Sequence, residues 1–315
     1  MRSFSTTTLI PCLVSFLKRC VATGSCLALL AVLSATTASG QVNTLIWDLF
    51  EGDQLNLKIE QEISQENRLA ANDFQSQVNS RFNVTWTIVG TKALDYLVEQ
   101  NVVSTEFEVI NGTVLVKAHS DSGRNTENVP DSLVKAIEAL GNSTALIRLD
   151  RYGKMTFDKL KEGNDPVASS RHQDILKIMT QVVVRYPGEE IQIGQDWKQS
   201  AVEDESVDSV YYQCRFAEQN ENVAIVKTEA RFDDEFVKQS YLDQAEKDNQ
   251  PTPSVTIQKN EGGGEFRFDI EKKVPLQAEQ SYVLESRIEG QQLVLQKIQA
   301  VNRCEIELQR DLQRE

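Results

Sequence analysis

The dominant rhythm of this chain is period two. Leu55, Leu57 and Ile59 alternate with polar residues, and so do Phe82, Val84, Trp86 and Ile88. Such alternation predicts β-strands with one buried and one wet face. The stretch 105–118 carries Asn111-Gly112 between β-prone flanks, which predicts a hairpin with a type I′ turn centred on that pair. Further alternation over 145–157, 207–216, 223–232, 255–257, 266–270 and 282–288 predicts more strands. The last segment, 293–308, changes register near Val301, which predicts a bulge. Antiparallel meanders read this way, whereas parallel sheets show continuous apolar runs between helices.

Helices interrupt the strands. Leu133, Val134, Ile137 and Leu140 follow Pro130-Asp131 and stop at Gly141. Ser170-x-x-Gln173 forms a capping box before a stripe of Ile175, Ile178, Met179, Val182 and Val183, ended by Pro187-Gly188. The segment 235–248 fits helix or strand, and Pro251 and Pro253 terminate it either way. Gly262-Gly263-Gly264 reads as a flexible connection between Lys259 and Phe266. The predicted class is mainly β with a few helices (α+β): curved antiparallel sheets or a partial barrel with helices packed on them. A faint echo between Glu51-Gly-Asp-Gln-Leu and Ile193-Gly-Gln-Asp-Trp allows two similar halves, 41–165 and 190–310, joined by the helix near 170–185. Gly52 and Gly194 as turn residues account for the echo equally well.

The first forty residues differ from the rest. They hold Arg2, Lys18 and Arg19 and no acidic residue, then the apolar run 26–34 and small residues through Gly40. That is the layout of a secretory signal, with cleavage expected after Gly40, and the apolar run is too short for a membrane span. The expected mature unit is a single β-rich domain, 41–315, secreted or periplasmic. Without the leader, 33 basic residues fall to 30 against 47 acidic ones, a net charge of −17. Such a field disfavours nucleic acid and anionic membranes. No later stretch predicts an integral membrane span. Cys12, Cys20 and Cys26 leave with the leader, so Cys214 and Cys304 remain as a candidate disulfide, or as two buried thiols.

Four short motifs bear on kinship: Leu49-Phe50-Glu51-Gly52-Asp53, Leu149-Asp150-Arg151-Tyr152-Gly153-Lys154-Met155, Pro187 followed by Gly194-Gln195-Asp196-Trp197, and Gly264-Glu265-Phe266-Arg267-Phe268-Asp269. In these the chain resembles a domain-of-unknown-function family of exported bacterial β-rich proteins, over most of 45–305. Lys272-Lys273 departs from the pattern where a Gly often follows the Asp. The resemblance implies a fold and a compartment and supplies no activity.

Catalytic chemistry is poorly served. His119 and His172 are the only histidines, no Gly-x-Ser-x-Gly elbow occurs, and both read as surface or cap residues. Two distant histidines and two distant cysteines make no zinc cluster. Glu203-Asp204-Glu205 and Asp233-Asp234-Glu235 lack calcium-loop spacing and read as solvated turns. The triple glycine has no Lys-Ser/Thr after it, so it is no phosphate cradle. Asn83, Asn111 and Asn142 stand in sequons, candidate glycan sites in a eukaryotic host. No catalytic residue, cofactor or metal is therefore expected. The expectation is a non-enzymatic exported protein that binds a hydrophobic small molecule or lipid. The alternative is an envelope or extracellular interaction module with a protein partner and no small-molecule ligand. Trp47, Phe82, Trp86, Tyr96, Tyr211 and Tyr212 either line a cavity in the first reading or form ordinary core.

Overall fold

A computed structural model describes residues 42–69, 73–200, 210–290 and 292–310. The leader read at 1–40 and the acidic run Glu203-Asp204-Glu205 lie outside the described residues. The strands are β1 (Val42–Asn43), β2 (Gln54–Leu69), β3 (Asp73–Lys92), β4 (Asp95–Asn111), β5 (Val114–His119), β6 (Thr144–Asp150) and β7 (Met155–Leu160), then β8 (Ile191–Gln192), β9 (Asp196–Ser200), β10 (Val210–Asn220), β11 (Val223–Phe232), β12 (Ser254–Asp269), β13 (Val274–Glu289) and β14 (Leu293–Gln309). The helices are α1 (Asp131–Gly141), α2 (Pro166–Val182) and α3 (Asp234–Lys247).

Twelve strands form one antiparallel sheet, in the order β7-β6-β4-β3-β2-β14-β13-β12-β11-β10-β9, with β5 also on β4. It is curved but not closed into a barrel, and β1 and β8 pair separately. The predicted class is correct. Five strands run 16 to 20 residues plus 17 in β4, far beyond the usual ~5–6. The helices are too short to cover such lengths, and that mismatch shapes the molecule. The lower parts of the strands pack on α2, whereas the upper parts run on past it.

The lower part is a dry core. Leu55, Leu57 and Ile59 of β2 and Phe82, Val84 and Trp86 of β3 are buried with Ile175, Met179 and Val182 of α2. Helix α2 starts because the Asp165 carboxylate accepts from the Val167 and Ala168 amides at 2.8 and 3.3 Å, and Pro166 presets the first turn. The start therefore lies upstream of the expected Ser170–Gln173 box, and the helix ends at Val182, before Pro187. Asp53, 4 % exposed, ties the end of β14 to the loop before β2: Arg310 donates to it through Nη2 (2.8 Å) and Nε (3.1 Å).

Several expectations need correction. The 4–5 hairpin turns on Gly112-Thr113, since Asn111 pairs with Val114, and only Gly112 has positive φ (58°), as a type II′ turn requires. No bulge occurs near Val301: β14 pairs in continuous register with both neighbours, and Val301 simply faces outward while polar Asn302 faces in. Segment 235–248 is helical, capped by Asp233, which accepts from the Phe236 amide at 2.8 Å. The triple glycine is no connection; it sits in the middle of β12. Cys214 and Cys304 are not bonded to each other: both are free and buried, on β10 and β14 with three strands between them. His172 is 0 % exposed, neither a surface nor a cap residue. Trp47, Phe82, Trp86, Tyr96 and Tyr212 are core, whereas Tyr211 is exposed.

Candidate functional site

Strand register stacks the inward-facing side chains into rows that run across the sheet. The lowest relevant row, Phe82–Ile59–Cys304–Ala278–Phe266, is apolar and buried. One step up, the row turns polar: Ser80–Gln61–Asn302–Gln280–Gly264–Thr228. Two steps up it is apolar again: Val116–Val109–Val78–Ile63–Ala300–Tyr282.

The polar row is a hydrogen-bonded belt. Gln61 donates to Asn302 at 3.0 Å, and Asn302 donates to the Gln181 side chain, at the end of α2, at 3.1 Å. Gln280 and Thr228 bond to each other across β12. They can meet because Gly264 lies between them. A Cβ there would stand 1.9 Å from the Glu279 carbonyl and 2.9 Å from the Gln280 amide. Gly262 does the same for Tyr282, whose ring a Cβ would meet at 2.8 Å. With Gly262 and Ala230 beside it, Tyr282 reaches Tyr212, and the two hydroxyls bond while both lie near the Gln181 carbonyl. Burial raises both phenols, so they stay neutral. The glycines thus let large side chains fold over β12 and seal the dry core with amides and hydroxyls.

Above this floor, Ile63, Val78, Val109, Val116 and Ile298 are only half-buried and stand outside the buried core cluster. The next two rows mix polar and apolar groups, Gln65 standing level with Ile298 and Asn67 level with Gln296. Gln65 donates to Asn67 at 3.2 Å, Gln296 donates to Asn67 at 2.9 Å, and the Tyr241 hydroxyl of α3 donates to Gln296. On the inward face of the upper sheet a half-buried apolar band therefore lies above the polar belt and is followed by rows that mix amides with aliphatic groups, with α3 at one end, and this stretch is termed the trough. Asn260 closes that end. Its side chain accepts from the Phe232 amide at 3.0 Å and donates to the Phe232 carbonyl at 2.8 Å, so it completes the edge where β11 gives way to α3.

No protein-family profile and no curated protein sequence matches the chain. Among solved structures, a lipovitellin determined for its lipid–protein interactions is similar at 10 % identity and TM-score 0.47, over 81 % of this chain and 25 % of that one. The chain thus spans about a quarter of the lipovitellin. An outer-membrane channel from Pseudomonas putida F1 aligns at 8 % identity and TM-score 0.22, over 83 % and 97 % of the two chains. The Pseudomonas putida toluene transporter TodX aligns at 9 % and 0.18, over 84 % and 91 %.

The residues singled out for chemistry are placed elsewhere. His172 is the middle of a directional relay beneath the trough. The Trp86 Nε1–H can only donate, so Gln100 must turn its oxygen to it (3.0 Å) and its NH₂ to His172 Nδ1 (2.9 Å). That leaves the proton on Nε2, which donates to Ser143 at 3.0 Å, and Ser143 donates to the Ala139 carbonyl at 2.6 Å. Burial lowers the His172 pKa from 6.5 to about 4, against a smaller opposing contribution from a hydrogen bond with the Ser143 backbone. Both ring nitrogens are spent on pinning α2 to β4 and α1. His119 ends β5, next to Asp121 and Arg124. Burial pushes the Cys214 thiol up to about 12 and raises Cys304 further, so neither is a nucleophile at neutral pH. Asp234, from the second acidic run, pairs with Arg231 at 3.1 Å. Sequence reasoning missed the polar belt entirely. The available signal was the recurrence of Gln and Asn at inward positions of β2 and β14.

Proposed function

We propose that this is an exported, non-enzymatic protein that holds a hydrophobic small molecule or lipid in the trough of its concave sheet face. The observation that carries the reading is the half-buried apolar band Val109–Val78–Ile63, which stands outside the buried core cluster above a row of amides and hydroxyls. A sheet face that only needed solubility gains nothing from apolar side chains there, and concave apolar surface with a few placed polar groups suits small-molecule binding. The basic-then-apolar leader supports export, and the four short motifs support kinship with the exported bacterial family. The structural use of His172 and the protonated buried thiols support a role without catalysis. Among the described residues no helix is long and apolar enough to cross a membrane.

One observation favours the interaction-module reading. At the tip of edge strand β5, Val114 and Leu115 are 60 % and 46 % exposed, which suits a protein partner along that edge.

Native mass spectrometry of protein purified from the exported fraction of its host, before and after organic extraction, separates the two. A reproducible adduct that extraction removes, and that Ile63→Asp abolishes, supports the carrier. A bare mass, or an adduct that survives Ile63→Asp, overturns it in favour of the module.

A further inference from the structure

The strands that wall the trough keep charge out of it, and the carboxylate nearest to it, Asp234 at the head of α3, accepts from Asn260 at its end; that restricts what it can hold. The chain is rich in ionisable residues, with 33 basic and 47 acidic side chains. The strand positions facing the trough nevertheless carry none of them. Every polar group there is an amide or a hydroxyl: Gln61, Gln65, Asn67, Ser76, Gln296 and Ser286 are representative. The intervening positions on the same strands, which face the opposite side, carry Glu60, Glu62, Glu66, Arg81, Arg287 and Arg303; Glu60 pairs with Arg81, and Glu66, Arg287 and Arg303 pair with other charges on that side. Charge is thus sorted by face, although a solvated concave surface would tolerate it equally on both.

We infer that the ligand is an uncharged amphiphile, with an alkyl portion on the Val78–Ile63–Ala300 band and a head of hydroxyl, ester or amide groups. The inference rests on the binding reading above and names its ligand class. An anionic head, such as a carboxylate or phosphate, would lose hydration against a half-buried wall that offers no cation in return. The net charge, −14 for the full chain and −17 without the leader, opposes its approach as well. A neutral head exchanges its water hydrogen bonds for those of Gln61, Gln65, Asn67 and Gln296 at little loss.

The test uses the purified protein with Nile red as fluorescent reporter at pH 8, displaced by monopalmitoylglycerol or by palmitate, both below their aggregation thresholds. The alkyl chain is the same and only the head charge differs. Monopalmitoylglycerol is expected to displace the dye at a concentration about tenfold lower than palmitate, a difference of ~1.4 kcal/mol. Gln65→Lys places a cation in the trough and should bring palmitate level, whereas Gln75→Lys, exposed on the convex face of β3, should leave the ratio unchanged. Equal or better displacement by palmitate in the unaltered protein overturns the inference and leaves the binding reading standing. Equal effects of the two Lys substitutions also overturn it, because discrimination then comes from overall charge. If Nile red does not bind, or neither lipid displaces it, the binding reading itself fails.

Discussion

The lower and upper parts of the sheet are built from the same strands, yet they obey different rules. In β2, the inward residues Leu55, Leu57 and Ile59 are buried, while Gln61, Ile63, Gln65, Asn67 and Leu69 on the same face are half-buried. Chain direction, strand type and neighbours do not change between the two sets. What changes is the other layer: α2 covers the lower part and stops at Val182, where Gln181 meets Asn302, Tyr212 and Tyr282. A sheet that outruns its covering helix must either expose apolar surface or turn polar. This one does both, with a polar belt, then an apolar band, then rows that mix the two, and that makes the upper part a candidate for binding rather than for packing.

The division depends most on Gly264, where the polar belt crosses β12. Gly264→Ala should give the largest effect of any single methyl added to the sheet, because its Cβ would overlap the Glu279 carbonyl and the Gln280 amide. A destabilisation above about 4 kcal/mol is expected, at the far end of what point substitutions do. Urea unfolding of the variant checks it, with Gly112→Ala as a milder comparison: Gly112 has nothing within 4 Å, so only its positive φ is strained. If the two variants lose the same stability, the belt is not what holds the two regions apart.

Acid should loosen the lower region and spare the belt. The folded-state pKa of His172 is depressed to about 4 from 6.5, so the unfolded chain binds the proton more readily. Its contribution is fully present above pH 6.5 and is lost as the pH falls through about 4. Over that window the loss is about 3 kcal/mol. The hydrogen-bond polarity gives the mechanism: protonated Nδ1 would face the Gln100 NH₂, which cannot turn without opposing Trp86 Nε1–H. Denaturant midpoints at pH 7 and pH 4.5 should therefore converge in His172→Gln relative to the unaltered protein. An identical acid shift in both would assign it to carboxylates instead.

Legibility in the sequence follows the same boundary. The lower strands were readable because alternation there is apolar against polar, as at Leu55–Ile59 and Phe82–Ile88. Above the belt Gln, Asn and Ser interrupt Val and Ile at the inward positions, as at Gln65, Asn67 and Gln296, so period two fades. That fading produced the bulge expected near Val301, since Asn302 occupies an inward position that the pattern reserves for an apolar residue. The glycines misled for a related reason: Gly262-Gly263-Gly264 has no β propensity, and the side chains that need the space, Tyr282 and Gln280, come from the next strand. His172 was legible in principle. It lies four residues after Ala168 and three before Ile175, on the buried stripe of α2, but a titratable residue at a helix start reads first as a cap. The Cys214–Cys304 pairing was open because strand order in the sheet, which keeps them apart, is not a local property.

The most direct comparison of the two regions uses two isoleucines four residues apart on one face of β2. Ile59 is fully buried between Phe82 and Cys304, whereas Ile63 stands half-buried between Val78 and Ala300. Ile59→Ala removes buried methylenes and leaves a cavity that the α2 contacts hold open, for a loss of about 3 kcal/mol. Ile63→Ala removes the same atoms from a surface already in contact with water, so the loss should stay below about 1 kcal/mol. The gap of about 2 kcal/mol is the quantity to measure, by urea unfolding of ligand-free protein. On the proposed binding, adding monopalmitoylglycerol should widen the apparent loss for Ile63→Ala alone, because binding stabilises by mass action and Ile59 lies beneath the belt. Equal losses without ligand would mean that the upper face is as tightly packed as the lower one, and the trough would then be core.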